Sequence, residues 1–153
     1  MYKMILTALL IFAATDAFAA VEGHYRANGT DAPPKYALAK WGDPYMDKPT
    51  TKVILSEKDA SKESSPDFSA QMGDLGSAIV ITLVASDDGY DVIGAEFAHP
   101  ALKRSGVSSI GILEARDVVV ANGTISGQIV SVADASIFDE PVEIDLKFSA
   151  KSP

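Results

Sequence analysis

Two histidines, His24 and His99, are the only imidazoles in the chain, and no cysteine accompanies them. A zinc or copper site takes three or four ligands from Cys, His and carboxylates, so this pair would need Asp or Glu at a recognisable spacing. Nothing supplies that spacing, and both read as ordinary histidines on strands or strand ends. Asp87, Asp88 and Asp91 cluster carboxylates as a hard cation requires. They lack the regular ligand spacing and the closing bidentate glutamate of a calcium loop, and a hairpin turn at Asp88-Gly89 explains them.

Nucleophilic chemistry fares no better. The run from Gly106 to Gly111 resembles a nucleophile elbow only superficially: Ser108 follows Gly106 by two but is followed by Ile110, and Ser109 fails the other way. Ser56-Glu57-Lys58 and Ser61-Lys62 do not make a Ser-x-x-Lys pair, and there is no phosphate loop or dinucleotide fingerprint. A hydrolase built on His99 and a serine of the Ala101 to Gly111 connection is the one enzymatic arrangement left, and no residues complete it. The chain therefore reads as a non-enzyme with no cofactor.

The aromatic residues are a softer signal. Tyr25, Tyr36, Trp41 and Tyr45 gather in the first third, where they could line a sugar or peptide groove or fill the open end of a β domain. Together with His99 they are the candidate binding residues.

Positioning these groups falls to short strands. Residues 112–132 predict a hairpin folded at Asn122-Gly123, a dipeptide suited to a two-residue type I′ turn. That loop pairs Val120 with Ile125, Val118 with Gly127 and Arg116 with Ile129 on one face, and Val119 with Ser126 and Asp117 with Gln128 on the other. A second hairpin over residues 77–98, turning at Asp88-Gly89, contains the most apolar stretch. Both faces of Ile79 to Val84 want burial, so this strand should lie centrally. Val21 to Ala27, Lys35 to Trp41, Thr50 to Ser56 and Val142 to Phe148 complete the regular strands, the last with a strict period of two. Glu57 to Asp67 reads as a solvated loop, Phe68 to Asp74 as a helical turn packed by Phe68 and Met72, and residues 150–153 as a frayed tail.

About eight strands joined by Gly, Pro, Asn and Asp turns predict an all-β domain. An antiparallel β-sandwich is expected, with a small up-and-down β-barrel as the alternative.

Residues 1–19 carry Lys3, an apolar run and the Ala17-Phe18-Ala19 pattern of a signal-peptidase site, which predicts a signal peptide cut after Ala19. The run is shorter than the roughly 20 residues a bilayer span needs. Removing residues 1–19 from 153 leaves 134, residues 20–153, expected as one β domain with its own core. Export without disulfides suits a bacterial periplasmic or extracellular protein. The two Asn-Gly-Thr triplets, at Asn28 and Asn122, read as turns before they read as glycosylation acceptors.

Net charge is −8, and Lys3 and Asp16 cancel inside the leader, so the mature chain keeps it. Such a surface disfavours nucleic acid and anionic membranes. The expectation is an exported monomer that binds without catalysing, with a basic protein partner met by loops such as Glu57 to Asp67. The alternative is a small barrel carrying an apolar ligand between its strands.

Overall fold

Alternating apolar and polar residues build two antiparallel sheets in the computed structural model, which describes residues 20–153; the predicted signal peptide lies outside the described residues. In chain order the elements are β1 (Ala20–Ala27), β2 (Thr30–Asp31), β3 (Tyr36–Trp41), β4 (Thr50–Ser56), α1 (Pro66–Gln71), β5 (Ala78–Ser86) and β6 (Gly89–Ala98). There follow β7 (Val107–Ser109), β8 (Leu113–Ala121), β9 (Thr124–Ser131), β10 (Ser136–Ile137) and β11 (Glu140–Lys151). One sheet has the order β2-β1-β11-β9-β8, with β10 paired to β11, and the other β3-β4-β5-β6-β7. The fold is an all-β sandwich, and the sheets do not close into the barrel that the hairpin order also allowed.

The main core lies between the sheets. Tyr25 and Ala27 of β1, Val53 and Leu55 of β4, and Ile79, Ile81 and Leu83 of β5 meet Ile144, Leu146 and Phe148 of β11. The other face of β5 is buried as well. Ile54, Ala78, Val80 and Ala98 form a second cluster covered by Ala60, Ala70 and Leu75, from α1 and the loops around it. Strand β5 thus sits centrally with both faces covered, as its continuous apolar run requires.

Details of register differ from the sequence expectation, and each difference has a local cause. The Asn122-Gly123 turn forms, with φ of 54° and 74°, and pairs Val120 with Ile125 and Val119 with Ser126. Beyond it, Asp117 adopts φ of 52° and inserts a bulge, so Arg116 pairs with Gln128 and Ala115 with Ile129. The expected Arg116–Ile129 pair would have put a guanidinium on the apolar face; the bulge moves it to the polar one. Gly127 makes room, since a Cβ there would lie 2.7 Å from Val118 Cγ2.

In the other hairpin the loop is Asp87-Asp88 instead of Asp88-Gly89, so Ser86 pairs with Gly89 and Val84 with Asp91. A second irregularity leaves Ile93 without a partner, after which Ile81 pairs with Ala95 and Ile79 with Phe97. Helix α1 buries Pro66 and Ala70, while Phe68 and Met72, expected to pack it down, are both more than half exposed. The C-terminal tail is not frayed at its start: Ala150 is buried, Lys151 pairs with Thr124, and the Ser152 N–H reaches the Gly123 carbonyl at 2.9 Å. Connection 101–111 contains the short strand β7, whose Ser108 pairs with Glu96.

Candidate functional site

The five candidate residues do not form one groove. Strand alternation turns Tyr25 inward, where it is wholly buried, and its hydroxyl has no hydrogen-bond partner among the described residues. Burial pushes this phenol far above its ordinary range, so it stays neutral. His99 is brought against it, the two rings meeting edge-on with centroids 4.6 Å apart. The imidazole is fully committed: Nδ1 accepts from the Ala101 N–H at 3.0 Å, and Nε2 therefore carries the proton donated to the Tyr25 carbonyl at 3.1 Å. Burial holds His99 below the usual histidine range despite the opposing pull of the Tyr25 carbonyl. A neutral imidazole with both nitrogens occupied joins β1 to the end of β6; it has no lone pair to offer a substrate.

Tyr36 lies at the start of β3 and lines a surface cleft of about 300 Å³ with Leu38, Asp59, Ser61 and Lys151. Trp41, at the other end of the same strand, has the opposite parity. It lies over a cavity of about 190 Å³ at the open end of the sandwich, with Leu83 and Tyr90 from one sheet and Val120 and Ile125 from the other.

Trp41 also begins the most conspicuous surface feature. Residues 42–49 leave β3, fold back through a tight turn and enter β4. Tyr45 and Lys48 exchange backbone hydrogen bonds of 2.9 Å each, and Met46 and Asp47 at the tip hold φ of 47° and 61°. Three large apolar side chains stand out here: Trp41 is 61 % exposed, Tyr45 47 % and Met46 79 %. Asp43 and Asp47 flank them. Because Thr50 pairs with Val84, the Asp87-Asp88 turn and Asp91 project from the same end of the sheet, and all five aspartates are exposed. Lys48 is the basic residue of that loop. Tyr90, Val120 and Met46 were not singled out in the sequence; the pairing of β5 with β6 brings in Tyr90, and only the stacking of the two sheets brings in Val120.

The acids of the Glu57 to Asp67 loop are engaged within the protein. Asp67 accepts from Lys52 Nζ at 2.8 Å and Lys40 Nζ at 3.1 Å. Burial works to raise its pKa, but these two bonds prevail and hold the carboxyl at about 2. Asp67 in turn raises Lys52. Asp59 accepts from the Ser61 N–H and Glu63 from the Ser69 hydroxyl. His24 and Arg26 share Glu143 on the exposed side of β1. Among the described residues no group of three or more His, Asp or Glu is arranged to hold a metal ion, and no helix is long and apolar enough to cross a membrane.

Compared with known protein families, with curated proteins and with solved structures, the chain matches none. The fold itself defines the class: an antiparallel β-sandwich without disulfides. One open end carries an aromatic, aspartate-flanked loop.

Proposed function

We propose that the protein is an exported, non-enzymatic binding module whose partner is a basic protein, met at the loop of residues 42–49. The observation that carries this reading is the exposure of Trp41, at the end of β3, together with Tyr45 and Met46 on the loop that follows it, amid Asp43, Asp47, Asp87, Asp88 and Asp91. Aromatic residues and methionine supply anchor area at interfaces, and carboxylates around them steer a cationic surface into place. Met46 adds a second reason. A non-glycine residue at positive φ strains the backbone, and such strain concentrates where a side chain is held out for a purpose. The leader-like residues 1–19 support export, and cleavage after Ala19 leaves β1 whole.

Trp41 is the single tryptophan of the chain, so its emission reports on this end alone. The test titrates the protein with a peptide of alternating lysine and leucine, and with the same peptide carrying glutamate for lysine. The lysine peptide is expected to shift Trp41 emission with a midpoint that rises steeply with salt, and the Met46→Ser variant to weaken the response. Equal response to both peptides, or indifference to salt, overturns the reading.

A further inference from the structure

A second cleft, of about 240 Å³, lies at the opposite end of β5 from Trp41, between the C-terminal side of α1 and the turn after β6. Ser77, wholly buried, lines it, and its Oγ has no hydrogen-bond partner among the described residues. A buried hydroxyl without a partner costs stability and calls for an explanation. At the rim stands the exposed Glu57, whose Oε2 accepts the Ser77 N–H at 3.3 Å. Gly76, at φ of 75°, lies where any Cβ would collide with this carboxylate, so glycine there keeps Glu57 beside Ser77. Met72, Ala98 and Pro100 supply apolar wall.

The remaining polar groups of the cleft are already used. The ring nitrogens of His99 are committed to Tyr25 and Ala101, and the Ser105 hydroxyl donates to the Gln71 carbonyl at 2.7 Å. Among the described residues no lysine or arginine lines the cleft; Lys58 turns instead toward the Asp74 carbonyl, 3.4 Å away. What is left is a carboxylate and a hydroxyl, both able to accept, beside an apolar wall.

We propose that this cleft binds an alkylammonium group. Its N–H donors meet the Glu57 carboxylate at the rim and, once that side chain swings off the Ser77 N–H, Ser77 Oγ, which is closed to solvent in the free protein; its methylenes lie against Met72, Ala98 and Pro100. The ammonium belongs either to a free amine or to a lysine side chain of another protein. The site is separate from the loop of residues 42–49, so its success or failure is read independently of that loop.

The experiment titrates the full chain with n-butylammonium chloride and with n-butanol, following the backbone amide resonances of Ser77 and Ala98. Saturable shifts with the ammonium and none with the alcohol are expected. Ser77→Ala weakens the ammonium response roughly tenfold or more while holding or raising the melting temperature, because the hydroxyl it removes has no partner among the described residues. Glu57→Gln, a change at an exposed position that leaves the fold intact, weakens the response by a similar factor. Equal response to the alcohol, or unchanged ammonium binding in both variants, overturns the proposal. A peptide with a central lysine assigns the source: tighter binding than n-butylammonium points to a protein lysine, weaker binding to a free amine.

Discussion

His99 donates through Nε2 to the carbonyl of Tyr25 at 3.1 Å while its ring meets the Tyr25 ring edge-on. Its other nitrogen, Nδ1, faces the Ala101 N–H, so a second proton would stand against a donor. This geometry and the burial of the ring keep the folded pKa below the ordinary 6.5, and the unfolded chain therefore takes the proton more readily. Stability from this residue is full above 6.5 and declines as pH falls below it. The melting temperature of the wild type should drop between pH 7.5 and pH 5.5, and His99→Gln should show a smaller drop. Asp67 belongs to a different window: held at about 2 against an ordinary 3.8, it contributes above 3.8 and is lost as pH falls toward 2. Parallel slopes for wild type and His99→Gln between pH 7.5 and 5.5 would remove His99 as the cause.

The turn at Asn122-Gly123 is expected to tolerate few other residue pairs. Both residues hold positive φ, which β-branched side chains resist, so replacing the pair by Val-Val should destabilise the protein by roughly 1–3 kcal/mol per strained residue. The loss should be visible as a fall in chemical-denaturation midpoint. A variant as stable as the wild type would mean that the strand pairing, and not the turn, sets the register.

That turn marks how far the sequence could be read. Period-two alternation and β-branched runs located β4 to the residue, the double-sided burial of β5 and the inward face of β11, because these depend on side-chain pattern alone. Register did not follow from pattern. One residue at positive φ, Asp117, or one without a partner, Ile93, displaces a whole ladder, and neither residue type announces it. The helix misled for a related reason. Its larger apolar residues, Phe68 and Met72, suggested the packed face, yet the adjoining sheet leaves space only for Pro66 and Ala70. Among the candidate site residues, proximity in sequence was a poor guide: strand parity separates Tyr36 from Trp41, and only the fold brings Tyr25 to His99.

Two phenylalanines test the assignment of faces. Phe148 is 4 % exposed in the core between the sheets, and Phe148→Ala should cost about 3–5 kcal/mol. Phe68, mostly in solvent, should change stability by less than about 0.5 kcal/mol when replaced by alanine. Denaturant unfolding of both variants makes the comparison, and a large loss at Phe68 would mean that α1 is held down by a contact other than Ala70.

Glu96 presents the reverse of the Asp67 case. Both are carboxylates beside Lys52, but Asp67 bonds to that ammonium whereas Oε2 of Glu96 is buried without a partner among the described residues. Burial raises the Glu96 pKa above its ordinary 4.5, and the attraction of Lys52 only partly offsets this. The folded state therefore holds the proton more tightly than the unfolded chain, and stability falls as pH rises from 4.5 through the folded value. Glutamine in place of this glutamate keeps the shape and removes the charge, while Lys52 retains Asp67. Glu96→Gln should melt at a higher temperature than the wild type at pH 7, and the difference should close at pH 4, where the wild-type carboxyl is itself neutral. A variant that melts lower at pH 7 would show that the pull of Lys52 on Glu96 outweighs the cost of burying the charge.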